Sequence, residues 1–187
     1  MNLNHFIRKY KFSTEVCDKL LDKYADSDKW TSHTWTDIED SNNQNKLYDT
    51  DLSVIYPENH DPCEIIQKLM VISQNAVQKY TIELDYDSCF LEEMSIPRLN
   101  KYEEGEYMRE HMDHIKSLFD GESRGLPAVS LIGLLNEEYE GGELVINGED
   151  YPLKKGELVI FPSNFMYMHK VNPVLSGKRF SYVAWSW

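Results

Sequence analysis

Residues 141–163 read GGELVINGEDYPLKKGELVIFPS. Two short apolar runs, ELVI and ELVIFP, stand on either side of a polar stretch. Asn147-Gly148 follows the first run directly. This pair accepts the left-handed backbone of a two-residue type I′ turn, the tight turn that matches the twist of paired strands. Gly156 and Pro162 punctuate the second run. Working outward, further strand-like runs appear with turn signals between them: SIPRLNKY at 95–102 and VSLIGLLN at 129–136 upstream, FSYVAWSW at 180–187 downstream. Several short strands at such spacing predict an antiparallel β-sandwich or barrel.

The N-terminal half has a different period and is expected to be mostly helical. Ser13 is placed to cap a helix reaching about Tyr24, with Val16, Leu20 and Leu21 on one face. Residues 31–50 are rich in Asn, Asp and Thr, and they predict a long loop or irregular hairpin of the kind that serves as a lid. Residues 52–56 are a strand candidate. Asp61-Pro62-Cys63-Glu64 combines a good N-cap, a proline suited to the first helical position and a glutamate three residues after the cap. The helix it starts carries Ile65, Ile66, Leu69, Met70, Ile72, Ala76, Val77 and Tyr80 at helical spacing. No repeat or linker divides the chain. The expected organisation is one domain over 1–187, in which 1–95 form helical support and a lid region and 96–187 form the β core.

Charge narrows the function. The 187 residues include 32 Asp and Glu against 19 Lys and Arg, a net charge of −13. Such a balance disfavours nucleic acid, which needs a basic face, and docking on anionic membranes. It suits a neutral or basic substrate. The three cysteines, at 17, 63 and 89, are odd in number and form no C-x-x-C pair, which argues against a disulfide framework and a zinc knuckle. The opening MNLNHFIRKYKFS has no apolar run of signal-peptide length, and no stretch approaches a membrane span. A reducing cytoplasm is the simplest expectation.

Six histidines occur. His5, His33 and His60 lie in polar surroundings and are expected at the surface. His111-Met112-Asp113 differs: residues two apart on a strand point to the same side, so an imidazole and a carboxylate are aimed at one point. Such a pair supplies two ligands of a 2-His-1-carboxylate facial triad, which leaves positions open on non-haem Fe(II). His169 lies 58 residues on, near the start of a strand-like segment, and Arg179 lies ten residues beyond it on the last apolar run. A guanidinium turned inward there needs an anion, and a dicarboxylate would pair it bidentately. His114 is expected to be no ligand.

Four stretches now read together: KYEEGEYMREHMDH, LLNEEYEGGELVI, LKKGELVIFPS and HKVNPVLSGKRFSYVAW. With these motifs in order, residues 96–187 resemble the prolyl 4-hydroxylase branch of the Fe(II)/2-oxoglutarate dioxygenases; the N-terminal half resembles it only in layout. The resemblance implies a double-stranded β-helix, of the jelly-roll or cupin kind, packed against the helices. It implies that His111, Asp113 and His169 bind Fe(II) and that Arg179 holds the distal carboxylate of 2-oxoglutarate. Tyr102 and Ser130 would line the cosubstrate pocket, and Trp185 and Trp35 are substrate-pocket candidates. Lys178, adjacent to Arg179, is expected on the opposite face, and Gly141 and Gly142 at a tight strand entry. The implied cosubstrates are 2-oxoglutarate and O2, with ascorbate as a candidate reductant. Because Asp113 is present, hydroxylation is favoured over halogenation.

The implied reaction is C–H hydroxylation, coupled to decarboxylation of 2-oxoglutarate to succinate and CO2, on a proline of a peptide or protein. Two departures bear on the substrate. Leu134 and Met108 stand where relatives carry tyrosines, so a free amino acid, another protein side chain or a small metabolite is the alternative. A non-catalytic binding module is a third reading. A zinc hydrolase on the same ligands lacks an evident base and leaves Arg179 unexplained.

Overall fold

The computed structural model describes residues 3–36, 45–47, 52–57, 63–86, 91, 93–114 and 126–187. In chain order its elements begin with β1 (Arg8–Lys11), α1 (Thr14–Tyr24), β2 (Thr31–Ser32), β3 (Thr34–Thr36), β4 (Asn45–Leu47), β5 (Ser53–Ile55) and α2 (Glu64–Glu83). They continue with β6 (Arg98–Tyr102), β7 (Met108–His111), β8 (Val129–Leu134), β9 (Tyr139–Gly141), β10 (Leu144–Ile146) and β11 (Glu149–Asp150). The last are β12 (Glu157–Pro162), β13 (His169–Val171), β14 (Val174–Gly177) and β15 (Arg179–Ser186).

A seven-stranded antiparallel sheet, in the order β1-β12-β8-β15-β6-β5-β2, faces a four-stranded sheet in the order β11-β10-β13-β7. This is the expected double-sheet core. Alternation along each strand divides its side chains between two layers. Inward from the large sheet point Ile132, Val159, Phe161, Val183 and Trp185, which meet Leu144, Ile146 and Val171 of the small one. Outward point Leu131, Leu158, Ile160, Tyr182 and Ala184, which are covered by Val16, Cys17 and Leu20 of α1 and Leu69, Ala76 and Val77 of α2. Both faces are therefore sealed, and all eight residues of β15 are buried. The Ser73 hydroxyl donates to the Tyr182 hydroxyl at 3.3 Å and ties α2 to the sheet.

The Asn147-Gly148 hairpin is present: Ile146 pairs with Glu149 across Asn147 and Gly148, whose φ values are 54° and 78°. The N-terminal half departs from expectation. Besides its two helices it supplies β1 to one edge of the large sheet and β5 and β2 to the other, so sheet and helices do not divide at residue 95. Local patterning could not show this, because the partners of β1 lie in β12, far along the chain. Ser13 does cap α1, but with its backbone alone. Helix α2 starts at Glu64 with Cys63 as N-cap; Asp61 and Pro62 lie outside the described residues. The polar segment forms an irregular hairpin, with Trp35 paired to Lys46, and residues 37–44 lie outside the description. The polar, Gly-rich stretch 117–127, by composition a lid or a surface loop, lies outside it as far as residue 125, as do residues 115–116, His60 and Cys89. Cys17 and Cys63 are free thiols. No described helix is long and apolar enough to cross a membrane.

Candidate functional site

The small sheet brings the two ligand histidines together. His111 ends β7, His169 begins β13, and the two are register partners. Their rings lie 4.2 Å apart between centroids. Asp113 follows just after β7, where its N–H and that of His114 both bond the Ser163 carbonyl, at 3.2 and 2.9 Å. That clamp turns the chain and aims the carboxylate back at both imidazoles: Oδ1 lies 3.4 Å from His111 Nε2, and Oδ2 lies 3.5 Å from His169 Nε2. One ligand atom from each residue falls within 4.8 Å of the others. His114 is exposed, as expected of a residue on the other side.

The same device orients both rings. His111 Nδ1 lies 2.7 Å from the Arg109 carbonyl and His169 Nδ1 lies 3.1 Å from the Tyr167 carbonyl. A carbonyl only accepts, so each Nδ1 carries a proton, and each Nε2 is the nitrogen turned to the carboxylate. Two imidazole nitrogens and a carboxylate thus converge on one point, where a bound cation would be shared among them. The donor set, two nitrogens and an oxygen in an incomplete shell, fits Fe(II) with positions left open.

Electrostatics agree. Burial opposes charge on Asp113, but His169, His111 and the Ser130 hydroxyl together hold its carboxyl well below the usual carboxylate range. Burial, reinforced by His111 and opposed by Asp113, pushes His169 down to about 4, so its imidazole is neutral and able to ligate near pH 7.

Arg179 lies at the opposite end of the cavity, on β15 beside Tyr102 of β6. It is 2% exposed. Its Nη1 donates to the Ser181 hydroxyl at 2.8 Å, its guanidinium lies 5.1 Å from the Tyr102 ring centroid, and its buried Nε meets no acceptor. No carboxylate among the described residues pairs with it. A buried, uncompensated guanidinium is strongly disfavoured, and an anionic ligand removes the penalty. This fits the distal carboxylate of 2-oxoglutarate. Gly142 makes room for the arrangement, since a Cβ there would lie 2.9 Å from Arg179 Cδ. Lys178 faces away, 3.1 Å from Glu103.

Tyr102 and Trp185 line the cavity. Burial raises the Tyr102 phenol, against the charges of Arg179 and Arg98. Trp35 sits on β3, with its side chain outside the described residues. Two expectations are corrected. Ser130 is engaged at the ligand carboxylate rather than at Arg179: its hydroxyl donates to Asp113 Oδ2 at 2.6 Å and contacts Ser163 Oγ at 2.8 Å. The hydroxyl beside Arg179 belongs to Ser181, which is register partner of the buried Leu134. His33 is buried rather than at the surface. Burial, then Arg98, then His111 push it down to about 3, so it is a neutral neighbour of the site. Polar flanking residues concealed this, because the burial comes from partners distant in the chain, among them the Leu52 carbonyl that accepts from the His33 N–H at 2.8 Å.

The site also holds Arg98, Asn100, Ser163 and Ser181, which the motifs do not mark. Strand alternation counted back from Tyr102 puts Asn100 and Arg98 on the inward face, and counted on from Arg179 it does the same for Ser181. Ser163 left no local signal. Wider clefts elsewhere, one of about 430 Å³ lined in part by Tyr86 and Met166, bring no ligating groups together.

A double-sheet core that presents a His-x-Asp…His triad to a cavity with a buried arginine defines the iron- and 2-oxoglutarate-binding class of oxygenase folds. Residues 97–187 match the sequence model of the 2OG-Fe(II) oxygenase superfamily. The superfamily implies Fe(II), 2-oxoglutarate and O2 as the groups the site serves. A PKHD-type hydroxylase of Idiomarina loihiensis is 37% identical over 91 residues, covering 46% of this chain and 39% of the relative. The chain thus matches about two fifths of the length of such curated relatives. A Pseudomonas putida prolyl-4-hydroxylase structure superposes with a TM-score of 0.70 at 17% identity, covering 97% of this chain and 91% of that one. A Trichoplax adhaerens prolyl hydroxylase, solved with a hypoxia inducible factor peptide fragment, superposes with a TM-score of 0.71 at 14% identity, covering 97% and 83%. At these identities the likeness is one of fold.

Proposed function

We propose that the chain is an Fe(II)- and 2-oxoglutarate-dependent hydroxylase that acts on proline in a peptide or protein. The observation that carries the reading is the pairing of the triad with Arg179: three converging ligands, and a buried cation with no anion of its own. When bound, Fe(II) with 2-oxoglutarate and O2 supplies the oxidising chemistry, in which 2-oxoglutarate becomes succinate and CO2.

The residues divide the remaining work. His111, Asp113 and His169 would hold the metal by one face. Ser130 and the Ser163 carbonyl fix Asp113, while the Arg109 and Tyr167 carbonyls fix the two imidazoles. Arg179, steadied by Ser181 and the Tyr102 ring, would take the distal carboxylate and so orient the cosubstrate along the cavity. Trp185 and the buried apolar wall, including Met108 and Ile132, exclude water from the reacting centre. No general base is required, because the substrate loses a hydrogen atom rather than a proton. We read the 187 residues as one working unit in which α1 and α2 brace the outer face of the large sheet, with ascorbate as reductant and the cytoplasm as compartment.

Incubation with Fe(II), 2-oxoglutarate, ascorbate and proline-containing peptides is expected to yield succinate and a +16 Da product on proline. Absence of proline-dependent turnover across a broad peptide panel would contradict the substrate; absence of succinate with any substrate would contradict the chemistry.

A further inference from the structure

A second buried cation lines the same cavity. Arg98 is 7% exposed and opens β6 on the inward face. Its Nε donates to Asn100 Oδ1 at 3.0 Å, and its guanidinium lies 5.2 Å from the centroid of the Trp185 ring. Neither partner carries charge, and among the described residues no carboxylate pairs with it. The cavity is thus locally cationic in a chain of net charge −13, with Asp113 its one lining carboxylate.

The register places the two arginines at different rungs of one ladder. Arg179 pairs with Tyr102 and Val183 pairs with Arg98, four residues further along the same ladder. At the rise of a β-strand this is about 13 Å. That is the backbone separation; the side chains lean toward the rung between, Arg98 onto Asn100 Oδ1 and Arg179 onto Ser181 Oγ, and Asn100 and Ser181 are register partners, so the 2-oxoglutarate affinity of the Arg98 variant is part of the test. The ligand set lies toward the Arg98 end: Ser130, which bonds Asp113, is the register partner of Trp185, and both Arg98 and His111 act on His33. Arg98 thus lines the end of the cavity that holds the metal ligands.

We propose that Arg98 is the anchor for a carboxylate of the primary substrate, with Asn100 holding the guanidinium and the Trp185 ring packed against it. This rests on the oxygenase reading and sharpens its substrate class. The reacting C–H belongs to a compound with a carboxylate a few bonds away, either a free amino acid or a peptide ending in a free carboxyl group. The fixed fork of a guanidinium matches a carboxylate bidentately, which gives orientation as well as affinity.

The test compares wild type, Arg98→Met and Arg98→Lys, each loaded with Mn(II) and 2-oxoglutarate. Binding of matched acid and amide pairs is measured by calorimetry and thermal shift: L-amino acids and their amides, N-acetyl amino acids and their amides, and proline-ending tripeptides with free or amidated termini. The expected result is that at least one acid binds wild type tenfold or more tighter than its amide. Arg98→Met abolishes that preference while its 2-oxoglutarate affinity stays within threefold, and Arg98→Lys keeps part of it. Preference within the free amino acids identifies a small-molecule substrate; preference confined to the tripeptides identifies a chain terminus. Acid and amide binding equally in every pair, with 2-oxoglutarate still bound, would overturn the role of Arg98 alone. So would an Arg98→Met variant that loses 2-oxoglutarate instead, since Arg98 would then serve the cosubstrate. Failure of wild type to take up Mn(II) and 2-oxoglutarate overturns the oxygenase reading and this proposal together.

Discussion

Ser130 shows how one hydroxyl governs a site it does not join. It is fully buried, its hydrogen goes to Asp113 Oδ2, and its oxygen is met by Ser163 Oγ. Removing it frees the carboxylate to rotate and leaves the Ser163 hydroxyl with one partner fewer. Ser130→Ala is therefore expected to weaken metal binding by roughly 10- to 100-fold, the usual effect of losing a group that orients a ligand. Metal titration with a competing chelator checks this, and circular dichroism verifies that the fold is retained. At this scale much was legible in the chain. His111, Asp113, His169 and Arg179 could be named because strand alternation and the ordered motifs bear on single residues. The partner of Ser130 could not, since Asp113 reaches it from the other sheet. His33 misled for the same reason: polar neighbours describe the local chain, whereas burial is decided by β5 and β6 from elsewhere.

Among the elements, the approach to β10 matters most for the site. Gly142 has φ +64°, and a Cβ there would lie 2.9 Å from Arg179 Cδ and 3.1 Å from Val174 Cγ2. Gly148, in the β10–β11 turn, has φ +78° with nothing within 4 Å of the corresponding position. Both glycines avoid a left-handed strain of about 1–3 kcal/mol for other residues, but only one stands against the arginine. Gly142→Ala and Gly148→Ala should both lower the melting temperature. Only Gly142→Ala should also raise the dissociation constant for 2-oxoglutarate, severalfold, by displacing the Arg179 stem. Calorimetry on the two variants side by side separates strain from function. Element types were largely readable here: the Asn147-Gly148 hairpin and the apolar runs now in β8, β12 and β15 declare themselves by turn chemistry and burial on both faces. β5 falls within the 52–56 strand candidate, but the edge strands β1 and β2 did not declare themselves. They are short, and β1 is Lys- and Arg-rich, as edges are when they resist further pairing, so their character as strands comes from their partners.

For the molecule as a whole, the acidic surface and the cationic cavity are separate features. The excess of carboxylates lies outside the site, while inside it two buried guanidinium groups stand with one lining carboxylate, already committed to the two histidines. The helices seal the outer face of the large sheet and leave its inner face to build the cavity, which is why the chemistry collects on β6, β15 and the ends of β7 and β13. The central claim is that metal and cosubstrate are held by separable parts of this cavity, the triad and Arg179. Anaerobic titration of Fe(II) and then 2-oxoglutarate, followed by the visible charge-transfer absorption of the chelate, tests it most directly. Wild type should develop the band, and His111→Ala should lose metal binding and the band together. Arg179→Met should keep its metal affinity and need on the order of 100-fold more 2-oxoglutarate, as expected when one partner of a buried charge pair is removed. Stoichiometric metal binding by His111→Ala, or wild-type 2-oxoglutarate affinity in Arg179→Met, would contradict the account.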